Sequence, residues 1–260
     1  MTDRLSAVDM AARRIDASGQ GEACTRPTAV EAPVAIEFDG FGYAVMMATP
    51  ADLADYVQGF ALAERLVERW QLLSNIDVVQ VEQGWIVRAS LPPESRARLQ
   101  DRVRVRVAEG SCGLCGLESL EQVLRPLPAA ANADAIAPAA IFRALDALFE
   151  HQPLNRLTGA THVAAFCAPD GAILIAREDV GRHNAFDKLT GALVHTGIDP
   201  AAGFALASSR CSYEMVEKAV LGGFPMLVTI SAATDLAVRR AREAGLHLVV
   251  LARPDSLLEM

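Results

Sequence analysis

Two thiols three residues apart, set among glycines, carry the most reactive chemistry of this chain: Gly110-Ser111-Cys112-Gly113-Leu114-Cys115-Gly116. Glycine permits backbone geometries that other residues resist and leaves the sulfurs uncovered. An accessible thiol matters because its thiolate is the nucleophile. Three chemistries use such a pair: half of a zinc site, a dithiol redox couple, or a cysteine that carries sulfur. Structural zinc takes four ligands, usually as two pairs, and here Cys24, Cys167, Cys211, His162 and His183 are scattered singles. A zinc deaminase places H-x-E upstream and proline before its C-x-x-C, whereas Ser111 precedes Cys112 and the first histidine is His151. A thioredoxin-like couple starts a helix, and this segment has glycine on both sides. A reversible persulfide or sulfenic state on one cysteine, assisted by the other, fits first, and the redox couple second.

A second set of residues offers anion chemistry. The stretches Arg177-Glu178-Asp179-Val180-Gly181-Arg182-His183, Ser208-Ser209-Arg210-Cys211-Ser212 and Ser231-Ala232-Ala233-Thr234 each separate an apolar run from a helical pattern. They supply hydroxyls, arginines and helix starts, whose unpaired N–H groups and dipole favour anions. The arginine fork matches phosphate geometry. The plainer reading makes the hydroxyls caps and the arginines partners of Glu178 or Glu214. Convergence of several such loops on one edge favours a site for a phosphorylated or nucleotide-bearing ligand. His183, beside Arg182 and Asp179, suits acid–base or binding work. His162 and His247 sit in apolar runs and read as core residues. Cys167, in Val163–Cys167, reads as buried and inert, and Cys211 as a residue that can line the pocket.

The elements around these residues form two groups. Val34 to Phe38 and Tyr43 to Met47 alternate around Asp39-Gly40, a hairpin signal. Pro50 to Trp70 reads as a helix capped by Thr49. Val78–Val81, Trp85–Ala89 and Val103–Val107 read as strands, the last with a basic face, and 117–124 as a short helix. Residues 1–27 read as a mobile leader, 28–125 as an α+β domain ending in the cysteine loop, 126–138 as a linker and 139–260 as an α/β domain. That last domain alternates strands (172–176, 204–207, 225–230, 247–252) with helices beginning near 138 and 184 and ending near 223 and 245. Such alternation argues for a mainly parallel sheet with helices on its faces, whose ligands bind beyond the carboxyl ends of the strands.

At 260 residues and 52% hydrophobic, the chain can bury a sizeable core in one or two domains. A net charge of −8 disfavours wholesale binding to nucleic acid or to an anionic membrane. No apolar run spans a bilayer. Five cysteines without a secretory signal suggest a reducing, cytoplasmic setting.

Several of these motifs together resemble the formate dehydrogenase accessory sulfurtransferases, the FdhD family. The resemblance rests on Cys112-Gly113-Leu114-Cys115-Gly116, Glu178 through Lys188, Ser209 through Val216, Val228 through Thr234, Leu236-Ala237-Val238, Glu31-Ala32-Pro33-Val34 and Met46 through Pro50. It covers nearly everything from about residue 28 onward. It implies a sulfur carrier that takes persulfide sulfur from a cysteine desulfurase. The carrier delivers that sulfur to the bis-molybdopterin guanine dinucleotide cofactor (molybdenum or tungsten) of formate dehydrogenase. A non-catalytic cofactor-binding chaperone is the alternative. The resemblance also implies a homodimer, a second half like the cytidine-deaminase fold in three αβα layers, and no zinc. Cys112 matches the persulfide cysteine and Cys115 its companion. Leu251, Ala252, Arg253, Pro254, Asp255 and Ser256 fall where the family is expected to bind the cofactor, and guanine nucleotide can occupy the same pocket. The loops add Arg177, Asp179, Arg182, His183, Lys188, Ser208, Arg210 and Ser231 to that expected site. The chain departs from the family pattern at Asp39 (commonly Asn), Arg65 (commonly Gly), Cys211, Asp255 and Ser256.

Overall fold

A computed structural model describes residues 6–68, 71–99, 125–132 and 135–260. The expected cysteine site (Cys112, Cys115), the strand at 103–107 and the helix at 117–124 lie outside the described residues.

The segment expected to be a mobile leader carries a ribbon. Strands β1 (Ala7–Ile15) and β2 (Gly21–Ala29) pair antiparallel from Ala7↔Ala29 to Ile15↔Gly21. Its turn is locally encoded. Asp16 Oδ1 accepts from the Ser18 amide and hydroxyl and from the Gln20 amide, and Gly19 supplies a φ of 86°. Polar composition concealed this, because both faces of the ribbon are largely exposed.

The first core forms on a four-stranded sheet. Strands β3 (Ala32–Phe38), β4 (Phe41–Ala48), β5 (Ser74–Val81) and β6 (Gly84–Ser90) run in the order β4-β3-β6-β5. Asp39 and Gly40 turn the hairpin at φ 50° and 82°, the left-handed pair that a two-residue hairpin needs. Helix α1 (Leu53–Ala63) lays Tyr56, Val57 and Phe60 on Val34, Ile36 and Phe38. It is shorter than the expected 50–70. Thr49 is no cap; it lies before a tight turn (Ala51 N–H to Thr49 O, 2.8 Å) that passes through Asp52 at φ 52°. Arg65 closes the helix at φ 56°, the position just past a helix end where glycine is favoured.

The second sheet has the order β12-β11-β10-β9-β7-β8. Its strands are β7 (His162–Cys167), β8 (Ile173–Asp179), β9 (Phe204–Ala207), β10 (Met226–Thr229), β11 (His247–Arg253) and β12 (Ser256–Glu259). Helix α2 (Pro138–Leu148) covers one face with Ile141, Ala144 and Leu148 against Val163, Leu206 and Val228. The short α3 (Pro153–Thr158) precedes β7. Helices α4 (Arg182–Thr196), α5 (Tyr213–Gly222) and α6 (Asp235–Ala244) cover the other face, with Phe186, Leu189, Met215, Val216 and Ala241 against Phe166, Ala205, Leu227 and Leu248. The sheet is mixed rather than mainly parallel. Only β9-β10-β11 are parallel neighbours; β7 runs antiparallel to both β8 and β9, and β12 antiparallel to β11. The reason is local: Ala168–Ala172 is a tight turn with Gly171 at φ 91°, so β7 and β8 join as a hairpin without a crossover helix.

Helices α1 and α4 cross on glycine. A Cβ on Gly59 would lie 1.9 Å from Asp187 O, and one on Gly191 would lie 1.9 Å from Asp55 O. Neither position accepts even a methyl group at this separation. The crossing joins the two cores and brings the first half of the chain against the start of α4.

Candidate functional site

Four loops meet at one edge of the second sheet. Because β7 is reversed, β8, β9, β10 and β11 all point the same way, and their carboxyl ends share that edge with the start of β7. Backbone bonds then stitch loop to loop. Ser208 N–H donates to Val163 O, Ile230 N–H to Ala207 O, Cys211 N–H to Ala232 O, Thr234 N–H to Cys211 O and Leu251 N–H to Ser231 O. Leu251 adopts φ 49° inside β11, where the pairing with β12 shifts register between Val250 and Arg253. Thr234 caps α6 by accepting from Ala237 N–H, so that hydroxyl is occupied. Ser208 Oγ accepts from Val163 N–H at 3.0 Å, so it too works in the scaffold.

The expected residues divide into two groups. Arg182, His183, Arg210, Ser231, Leu251, Ala252 and Arg253 ride on the stitched loops or the start of α4. Arg210 and Arg253 are exposed, and Pro254, Asp255 and Ser256 follow in an exposed turn into β12. Ser256 Oγ donates to Asp255 Oδ1 at 3.1 Å. Ala252 is buried in the sheet, so only its backbone can face a ligand. His183 Nε2 lies 3.0 Å from Glu214 Oε2, and that contact holds the Glu214 carboxyl below its ordinary range. His162, at the start of β7, is kept toward its neutral form first by burial and then by the Arg182 charge. This edge therefore carries three arginines, two histidines and an uncapped start of α4 at Gly181.

Arg177, Asp179 and Lys188 do other work. Arg177 is spent on α1, with Nε and Nη2 at 2.8 and 2.7 Å from Asp55 Oδ2. His195 Nδ1 meets the other oxygen of Asp55 at 2.7 Å. Burial pushes the Asp55 carboxyl up, but His195 and Arg177 together hold it below its usual value. Asp179 and Lys188 are wholly buried. Lys188 Nζ donates to Asp179 Oδ2 at 2.6 Å, Thr49 O at 2.9 Å and Glu178 O at 3.4 Å, which uses all three ammonium protons. Asp179 also accepts from Thr49 N–H, Gly181 N–H and Asn184 Nδ2. Neither group has capacity left for a ligand. They fix the turn that presents Arg182 and His183.

Residues whose sequence reading assigns other roles, or none, complete this support. Thr49 is a buried hub whose Oγ1 accepts from Val180 N–H. Asn184 donates to Met47 O and accepts from Tyr56 Oη. Glu178 accepts from Leu154 N–H, Asn155 N–H and Thr161 Oγ1. Lys218 Nζ donates to both carboxylate oxygens of the buried Asp187, at 2.6 and 2.8 Å. Cys211 lies on the site's loops but is fully buried, and burial raises its thiol to about 12. Its role is the backbone bridge to Ala233.

Comparison with known proteins gives the family and the fold. The model of the FdhD/NarQ family matches residues 29–258. The chain belongs to the FdhD/NarQ family. A relative from Variovorax paradoxus (strain S110) is 43% identical over 230 residues, covering 88% of this chain and 83% of the relative, and is named a sulfur carrier protein FdhD. Relatives of the same name from Bordetella petrii and Xanthomonas campestris pv. campestris (strain B100) are 43% and 45% identical over 225 residues, 86% of this chain and 81% and 80% of theirs. A crystal structure from Desulfotalea psychrophila, described as that of a formate dehydrogenase accessory protein, superposes with a TM-score of 0.75. At 20% identity, over 98% of this chain and 96% of that one, it establishes the FdhD/NarQ chain's mixed α/β fold. No helix among the described residues is long and apolar enough to cross a membrane.

Proposed function

We propose that this chain is a sulfur carrier that supports formate dehydrogenase. The observation that carries the reading is identity above 40% with relatives named sulfur carrier proteins, over more than four fifths of either chain. In the proposed reaction, the Cys112 thiolate attacks the outer sulfur of a desulfurase persulfide. The Cys112–sulfur bond forms, the desulfurase S–S bond breaks, and its cysteine leaves as thiolate. Cys115 assists the later release. The acceptor is the bis-molybdopterin guanine dinucleotide of the client enzyme, bound as substrate at the edge that carries Arg182, His183, Arg210, Ser231 and Arg253. Pyrophosphates suit arginine forks and a free helix start. Membership of a homodimer, a cytoplasmic setting and a cytidine-deaminase-like second half belong to the same reading; the last is supported by a sheet with helices on both faces.

The test is peptide mass spectrometry after incubation with a cysteine desulfurase and cysteine. Wild type gains sulfur on Cys112, and Cys112→Ala gains none and fails to support formate dehydrogenase. Absence of added sulfur, with the desulfurase active on another acceptor, points instead to a chaperone that binds the cofactor without carrying sulfur.

A further inference from the structure

The four-stranded sheet is covered on one side. Helix α1 packs on the face that carries Val34, Ile36 and Phe38, and side chains alternate along a strand, so the residues between them point the other way. On that outer face Val45, Ala35, Ile86 and Val79 are partners in one row across all four strands. Met47 and Pro33 stand opposite each other in the next row, which Val81 completes opposite Gly84. A sheet with one wet face ordinarily alternates apolar-in with polar-out, and here both rows are apolar. Val45 is 68% exposed, and Met47 and Val81 are exposed with it. The third row is charged but neutralised within itself: Arg88 Nε lies 2.9 Å from Glu37 Oε2, and its Nη1 3.5 Å from Asp77 Oδ2.

The β1-β2 ribbon is the second open surface. Its base is tied to α3, where Arg26 Nη2 donates to Thr158 O at 3.2 Å, and is closed by Val30 N–H donating to Ser6 O. Beyond the base, residues 8–23 are all exposed. One face carries Val8, Met10, Ala12 and Cys24, with Met10 53% exposed. The charges on that face are also spent: Arg26 on α3, and Arg14 on Glu22 at 3.6 Å across the strands. A lone two-stranded ribbon is marginal in water, so this one gains from a surface to lie on.

The dimensions select the partner. Nine residues per strand make the ribbon about 30 Å long and about 10 Å wide, a face of about 300 Å². The outer face of the sheet is about 19 Å by about 25 Å, or roughly 480 Å². Two copies stacked on these sheet faces alone would bury less than about 1,000 Å² and leave both ribbons bare, short of the roughly 1,200 Å² at which stable interfaces begin. A ribbon laid on the sheet of a second copy, with the contact repeated in reverse by twofold symmetry, reaches about 1,200 Å². Neither surface brings an unpaired charge, so removing water from both strands none. We infer that two copies of this chain exchange their β1-β2 ribbons, each ribbon lying across the outer face of the other copy's four-stranded sheet. This rests on the homodimer of the proposed function and is independent of sulfur carriage.

The experiment is sedimentation velocity of the full chain over a concentration series, for wild type, Val45→Asp, Met10→Asp and Leu174→Asp. Leu174, 54% exposed on β8 of the other sheet, is the control. All three positions are exposed, so each substitution leaves the folded monomer intact. Val45→Lys and Met10→Lys stand in for either variant whose melting falls below that of Leu174→Asp. Twofold symmetry repeats each substitution, so a tenfold loss at one contact becomes about a hundredfold rise in Kd. Dimeric wild type and Leu174→Asp, with Kd raised about a hundredfold in both Val45→Asp and Met10→Asp, supports the inference. A shift in Val45→Asp alone overturns it in favour of stacked sheets, and a shift in Met10→Asp alone in favour of paired ribbons. A dimer that no variant weakens, or that all three weaken alike, also overturns it. Wild type that stays monomeric throughout the series overturns the homodimer and the exchange together and leaves the sulfur-carrier reading standing.

Discussion

Replacing Lys188 with methionine isolates the support of the site from its chemistry. Methionine keeps much of the volume but deletes three donated bonds, to Asp179 Oδ2, Thr49 O and Glu178 O. Asp179 keeps its amide donors yet loses its counter-charge at a position with no solvent exposure. Breaking a buried pair from one side costs about 3–5 kcal/mol. For a chain of this size that is a fall in Tm of roughly 6–20 °C. Removing both charges, as Asp179→Asn with Lys188→Met, recovers much of the loss, because no uncompensated charge remains. The assay is thermal unfolding of the wild type, both single variants and the double variant, together with the activation rate of formate dehydrogenase. Activation falls in the single variants at temperatures where they remain folded, because the turn carrying Arg182 and His183 loses its cage. A Lys188→Met protein that melts within about 2 °C of wild type, less than the shift of about 1 kcal/mol, refutes the argument. So does a double variant whose loss equals the sum of the two single losses.

Three more outcomes follow from the geometry. Gly59→Ala and Gly191→Ala each force α1 from α4, since the new methyl would meet a backbone carbonyl at 1.9 Å; each lowers Tm strongly, and soluble variants with unchanged melting would contradict the crossing. Glu214 has a folded-state pKa below its unfolded one because of His183; its contribution is present at neutral pH and is lost as pH falls through the depressed value, so Glu214→Gln flattens the acid side of a stability–pH curve. Burial raises the Cys167 and Cys211 thiols to about 12; alkylation at pH 8 followed by peptide mapping leaves both unmodified in the native protein and labels both after denaturation.

Much of this was legible in the residues. Asp39-Gly40 announced a hairpin, and the alternation of apolar runs with Ser- and Arg-bearing loops placed those loops at one edge. The departures at Asp39 and Arg65 fall at two of the places where the backbone is left-handed, at φ 50° and 56°, which is why Asn and Gly are the commoner choices there. What could not be read was which side chains meet across the fold. Thr49 and Asp179, or Tyr56 and Asn184, are separated by about 130 positions, and no local pattern links them. Lys188 and Asp179 looked like ligand-binding residues because charge in a loop motif normally implies access, and burial is decided by packing of the other half of the chain. Strand direction was misread for a related reason. A crossover and a hairpin both give strand after strand along the sequence, and only the turn at Gly171 tells them apart.

The cage around Lys188 draws one wall from each half of the molecule, Thr49 from the first and Asp179 with Glu178 from the second. Two cores that share a buried charge cannot unfold one at a time without stranding that charge. The chain should therefore behave as one calorimetric unit, with a single heat-absorption peak, although its four-stranded and six-stranded sheets are separate. Heritable damage then spreads: a packing defect in the four-stranded sheet, far from any ligand, would be felt at Arg182 and His183 and scored as loss of activity.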